Sequence, residues 1–273
     1  MNPEKAITWI RDGTLINRMP ENATAFAIAT YQHLSSNRAD ITLEDLINWC
    51  FKNSGISAMK KMELFNSVHN NAISDVKSAN AYYTTLAEAI GSFVNYFEGA
   101  PELIRELIER GVRTYITSAV KQDIMDVWKE NEQGSQIDSN VEILGDGTKG
   151  KKGEEHFKYI REQGGPVQIY SVADATSEIE DAKKFANTPI GFAYVITRER
   201  INEAFAKVMS TGETLGYDFL KIPTNINLEK IILPDNAELV RALQNAGAKI
   251  TITGDEASLI KNLKAYLKQE GLL

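Results

Sequence analysis

Residues 7–20 read ITWIRDGTLINRMP. An apolar, β-prone run, Ala6-Ile7-Thr8-Trp9-Ile10, breaks at Asp12-Gly13, a pair that favours turns. This predicts a buried strand over residues 5–10 with an acid, a glycine and a hydroxyl (Thr14) just past its end. How the remaining chain arranges itself around that strand decides the fold.

From about Ala23 to Val94 the patterns are helical. NATAFAIATYQHL (22–34) has Asn22 as a candidate cap, and TLEDLINWCFKN (42–53) has Thr42 as cap with Glu44 and Asp45 in its first turn. ISAMKKMELFNSVHNNAI (56–73) and NAYYTTLAEAIGSFVNYF (80–97) follow. Four amphipathic segments with no strand between them predict a small helical bundle. The rhythm changes at Glu98-Gly99-Ala100-Pro101. PELIRELIERG is a helix that starts on Pro101 and stops at Gly111. VRTYITSA, VEILGDG, PVQIYSVAD and IGFAYVI then alternate as strands with the helices KQDIMDVWKENEQ, GEEHFKYIREQG and SEIEDAKKFAN. KIILP, NAELVRALQNAG, KITITG and EASLIKNLKAYLKQ continue the alternation, while residues 200–228 are the hardest to read. The fold class is therefore α/β: a mainly parallel sheet with helices on both faces, plus an all-helical insert after strand one. The expected division is 1–16 and 98–273 for the α/β core and 17–97 for the insert.

The chain has 273 residues, 43% hydrophobic and 25% charged, ordinary for a globular protein with a real core. With 37 acidic against 30 basic residues the net charge is −7, which disfavours nucleic acid as a partner but allows a local basic pocket for a small phosphate. Cys50 is the only cysteine, so no internal disulfide forms. His33, His69 and His156 are too far apart for zinc spacing. The first residues lack a signal-peptide core, and no run approaches the ~18 apolar residues of a membrane span. The expected location is the cytoplasm, away from any membrane.

In open α/β sheets ligands bind beyond the carboxyl ends of the strands. Strand one delivers Asp12, Gly13 and Thr14 there, and TYITSA delivers Thr117 and Ser118. Lys149, Lys151 and Lys152 precede a helix, and QIYSVAD ends in Asp174 with Glu178 one turn later. Carboxylates, a hydroxyl and an ammonium together suit a phosphate held with a divalent cation, because Mg²⁺ prefers a few carboxylate oxygens plus phosphate.

Order and spacing resemble the haloacid dehalogenase-like (HAD) phosphatase superfamily, in its helical-cap, phosphoglycolate phosphatase-like branch. The family's Asp-x-Asp-Gly-Thr motif falls on Ile10-Arg11-Asp12-Gly13-Thr14, its Thr/Ser motif on Thr117, its lysine on Lys152, and its acidic motif on Ala173-Asp174 with Glu178. The similarity covers roughly residues 5–197. It implies a three-layer Rossmann-like core with a helical cap and Mg²⁺ as cofactor. It further implies catalytic roles for Asp12, Thr117 and Lys152, phosphate contacts from Gly13, Thr117, Ser118 and Lys152, and metal ligation by Asp12, Asp174 and Glu178.

The departures matter more. Where the family's nucleophilic, metal-binding Asp stands, this chain has Ile10, and a hydrocarbon can neither attack phosphorus nor bind Mg²⁺. Such a loss costs on the order of 10⁴ to 10⁶ in rate. It leaves Mg²⁺ weakly held or absent. Ala173 replaces the usual Gly, and Glu178 a usual Asp. Arg11, directed inward, would pair with Asp12 and stand in for the cation. The bland readings are a plain turn at Asp12, caps at Thr117, Ser118 and Asp174, a first-turn acid favoured by the helix dipole at Glu178, a solvated lysine loop, a surface His156 and a buried Cys50. GDGT (145–148) reads as a turn and TGDEAS (253–258) as a helix cap. The leading expectation is a phosphatase-fold protein without aspartyl-phosphate chemistry, binding a small phosphorylated molecule, a protein partner or its own copy. The alternative is an active Mg²⁺-dependent hydrolase of a small phosphorylated metabolite in which Asp12 activates water. An interaction surface on the helical insert is a third reading.

Overall fold

The computed structural model describes residues 4–36, 38, 40–53, 56–91, 95–147, 149–163, 167–186 and 188–273. Ser92–Val94, Thr148, Gly164–Pro166 and Asn187, which close or open several of the predicted segments, lie outside the described residues, as do Met1–Pro3. The chain forms two compact units, Met1–Asn17 with Val94–Val195 and Asp235–Leu273, and Arg18–Phe93 with Ile196–Pro234.

The first unit is built on six parallel strands among the described residues: β1 (Glu4–Ile10), β2 (Arg113–Lys121), β3 (Glu142–Asp146), β4 (Val167–Ala173), β5 (Thr188–Tyr194) and β6 (Ile250–Gly254). Their order is β3-β2-β1-β4-β5-β6, and every pairing is parallel. Strands covered on both faces read as unbroken apolar runs, and β1 is buried throughout Ala6–Ile10. The crossover helices are α5 (Ala100–Glu109), α6 (Gln122–Glu130), α7 (Glu154–Glu162), α8 (Thr176–Phe185) and α10 (Asn236–Ala246), and α11 (Leu259–Gln269) follows the last strand. Pro101 sits in the first turn of α5, and Gly111 takes φ +78° to end the connection that follows. Asp255 accepts from Ser258 N at 2.9 Å in the turn before α11, but the N-cap position is Ser258, without a side-chain cap, so TGDEAS leads into the helix rather than capping it.

The second unit holds α1 (Met19–Gln32), α2 (Leu43–Lys52), α3 (Ala58–Val68), α4 (Val76–Gly91) and α9 (Arg198–Thr214). Thr42 caps α2 in a reciprocal capping box with Asp45. Asn22, in contrast, lies inside α1, because Pro20 opens that helix a turn earlier. Residues 196–234, placed in the α/β core from sequence, pack here instead. α9 lies along α1, and Arg200 forms an ion pair with the Glu21 carboxylate, whose residue is 0% exposed. KIILP (230–234) is no strand. Asn48 on α2 donates to Lys230 O at 3.0 Å and accepts from Ile232 N at 2.8 Å, so its amide satisfies the backbone that a neighbouring strand would otherwise have paired. Among the described residues no helix is long and apolar enough to cross a membrane.

Candidate active site

The site lies in the first unit, at the carboxyl ends of β1, β2 and β4. Parallel register places Ile10 opposite Thr117 and Trp9 opposite Val172, so β1 and β4 end level, while β2, read from sequence as ending at Thr117 and Ser118, runs on past an irregularity to Lys121. After Ile10 the chain turns tightly: Gly13 takes φ +97°, Gly13 N donates to Ile16 O at 2.9 Å and Ile16 N to Arg11 O at 3.0 Å. A Cβ on Gly13 would overlap the Asp174 carboxylate, so glycine is needed here both for its backbone and for the space it leaves. The end of β4 is thus pressed directly onto the turn after β1.

Ile10 is 8% exposed and belongs to an apolar cluster with Ala173, Ile179, Ala193 and Leu243. Its hydrocarbon is part of the core at the edge of the site rather than a side chain standing alone in a cleft. Side chains alternate along a strand, and Arg11 turns to the other side, toward α6. It is 7% exposed. Its Nη2 donates to Asp12 Oδ2 at 2.8 Å, its Nη1 to Met125 Sδ at 3.2 Å, and its guanidinium lies 5.5 Å from the Trp128 ring centre.

Lys152 reaches the same group from the β3–α7 connection. Its Nζ forms an ion pair with Glu178 Oε1, and its backbone N donates to Asp146 Oδ1 at 2.8 Å. Lys149 instead pairs with Glu142 at 2.8 Å, and Lys151 is exposed, so Lys152 is the lysine of that loop that meets the acidic motif. Burial first, then the negative charge of Glu178, push the Asp174 carboxyl well above the usual carboxylate range, against the pull of Lys152. Asp12 adds to the rise. Thr117 is buried, with Oγ1 donating to Trp9 O at 3.4 Å, and Ser118 Oγ accepts from Val120 N at 3.2 Å. The cap positions of α6 and α8 are Lys121 and Ala175, without side-chain caps among the described residues, so Thr117, Ser118 and Asp174 are not caps.

Three residues were not placed in the site from sequence. Asp146, which with Gly145 closes β3 where the sequence reads as a turn, fixes the Lys152 backbone. Met125 and Trp128 enclose Arg11. Asp146 had a signal, since it ends a strand on the functional edge; the α6 pair had none beyond a helical apolar face. His156, read as a surface residue, is buried, with Nε2 3.2 Å from Gly145 O beneath the same connection. Burial holds its pKa below the usual histidine value.

Mg²⁺ requires oxygen donors free to face it. Here Asp12 Oδ2 faces a guanidinium and Glu178 Oε1 an ammonium, and among the described residues no three His, Cys, Asp or Glu side chains are gathered as a metal site. Glu178 Oε2 is buried without a hydrogen-bond partner. One such oxygen does not make a site, and the arrangement does not fit the cation that the sequence resemblance implies. What remains is a partly buried group of charges paired within the chain, two buried hydroxyls on β2 and a tight turn after β1, with a hydrocarbon at residue 10.

No family profile and no curated protein matches the chain. Solved structures do. A HAD family hydrolase from Deinococcus radiodurans R1, determined with bound phosphate and sodium, superposes with a TM-score of 0.63 at 16% identity, over 100% of this chain and 99% of that one. A haloacid dehalogenase-like family hydrolase from Streptococcus pneumoniae gives 0.57 at 14% identity, over 97% and 100%. A predicted phosphoglycolate phosphatase from Haemophilus somnus gives 0.57 at 14% identity, over 96% and 98%. The chain therefore has the α/β fold of the HAD hydrolases. At such identities the likeness is one of fold.

Proposed function

We propose that this protein uses a HAD hydrolase fold to bind a phosphorylated small molecule without forming an aspartyl phosphate. The observation that carries the reading is Ile10. It holds the register of the expected nucleophile, opposite Thr117, and its side chain is committed to the core. No carboxylate among the site residues replaces it, since Asp12 is drawn to Arg11 and Asp174 lies against Gly13. The groups that would meet the anion are Lys152 and the Thr117 and Ser118 hydroxyls, since the Gly13 N–H is already given to Ile16 O within the turn. Lysine supplies charge, and hydroxyl and N–H donors orient phosphate oxygens.

The test is an assay of the purified chain against a panel of phosphate monoesters with Mg²⁺, alongside binding of inorganic phosphate. The expected outcome is binding with no turnover. Robust turnover abolished by Asp12→Asn would instead establish the water-activating alternative. Radiolabelled phosphate trapped on Asp12 would exclude both.

A further inference from the structure

Arg11 is a charged residue at a place where a strand end ordinarily hides hydrocarbon. A buried guanidinium is costly unless it is paired, and here its pairing is specific: Asp12 at 2.8 Å, with Met125 and Trp128 closing the rest of its surroundings. Lys152 treats Glu178 in the same way. Two of the three carboxylates on which a metal would depend are therefore already neutralised by cations of the chain itself. The charge arithmetic agrees. Compared with an Asp-x-Asp motif bearing an apolar residue at its centre, Ile10 removes one negative charge and Arg11 adds one positive charge. The sum equals the charge of one divalent cation.

We propose that Arg11, with Lys152, replaces the divalent metal, so that the site takes a phosphate group in the complete absence of metal. This rests on the phosphate-binding reading above for its ligand, but not for the statement about metal. Arg11 keeps Asp12 from repelling the incoming anion. Lys152 exchanges part of its contact with Glu178 for a phosphate oxygen. A divalent cation entering the site would have to strip Asp12 from Arg11 and leave a sealed guanidinium unpaired.

The test is a titration of the purified chain with Mn²⁺, followed by paramagnetic resonance, and with inorganic phosphate, followed by calorimetry in EDTA and again in excess Mg²⁺. The wild type is expected to bind no stoichiometric Mn²⁺ and to bind phosphate equally with and without Mg²⁺. Arg11→Leu, which keeps the side chain's packing, is expected to raise Mn²⁺ affinity on the order of tenfold or more by releasing Asp12, whereas Arg11→Lys is expected not to. Stoichiometric Mn²⁺ on the wild type, or phosphate binding that requires Mg²⁺, overturns the proposal. If Arg11→Leu does not fold, the two wild-type titrations still decide. Phosphate failing to bind under either condition refutes the function proposed above, while the Mn²⁺ result continues to judge Arg11 separately.

Discussion

At the scale of single residues, the site turns on two neighbours whose side chains part to opposite faces. Ile10 joins Ala173, Ile179, Ala193 and Leu243, while Arg11 goes to Met125, Trp128 and Asp12. Restoring a carboxylate at residue 10 would therefore place a charge in hydrocarbon. Ile10→Asp is expected to destabilise the protein by roughly 3 kcal/mol or more, read from urea unfolding, and to create no phosphatase activity while Arg11 still holds Asp12. Pairing it with Arg11→Leu should recover Mn²⁺ binding even if stability stays low; a fully active Ile10→Asp single variant would contradict this account. Much at this scale was legible: an acid and a glycine after a buried strand, a lysine before a helix, and a Glu one turn past Asp174. The direction of Arg11 was not. An arginine at a strand end can snorkel to water or turn inward, and only the α6 residues packed over it, remote in sequence, decide which.

At the scale of elements, the β3–α7 connection shows how a loop is held for its one useful side chain. Asp146 fixes the Lys152 backbone, and His156 fills the space beneath with its ring against Gly145 O. The position of His156 one turn before Ile160 and beside Phe157 marks the buried face of α7, a signal that the polar character of histidine concealed. Burial lowers its pKa from the ordinary 6.5. A base with a lowered folded value binds fewer protons folded than unfolded as pH drops. Its contribution to stability is complete above about 6.5 and is lost as pH falls toward the lowered value. The urea midpoint should decline on the acid side of 6.5, and His156→Gln should remove part of that slope; an unchanged slope would place the effect elsewhere. In the second unit, Glu21 on α1 and Arg200 on α9 are joined by an ion pair whose carboxylate is buried and whose guanidinium is half-buried. Glu21→Gln should cost on the order of 1.5–3 kcal/mol by removing the charged acceptor that α1 offers Arg200. Amide exchange in α1 and α9 should accelerate together. This pairing was invisible in the sequence, because 179 residues separate its partners.

At the scale of the whole molecule, hydrophobic periodicity sufficed for the α/β core, since strands and crossover helices that follow one another in sequence are neighbours in space. It failed for residues 196–234, whose partners lie in an earlier stretch of chain. The segment 230–234 has the composition of a strand, yet Lys230 closes a 3-10 turn and a side-chain amide bonds the backbone on either side of Ile231. The division has a direct test. Removing residues 18–93 alone would uncover Ile201, Ala204, Phe205 and Val208, all buried on α9. That deletion is expected to aggregate on size-exclusion chromatography. Replacing both 18–93 and 196–234 with short linkers is expected to leave a soluble protein with a cooperative melt, and a soluble, cooperatively melting single deletion would argue against the assignment.

The same split has a bearing on how the protein is born. Helices α1 to α4 leave the ribosome well before α9 has been translated, for β2 to β5 come between them. At ~5–20 residues per second that interval is on the order of ten seconds. For that time the groove on α1 that will receive α9, and the carboxylate of Glu21 within it, are open to chaperones and to other nascent chains.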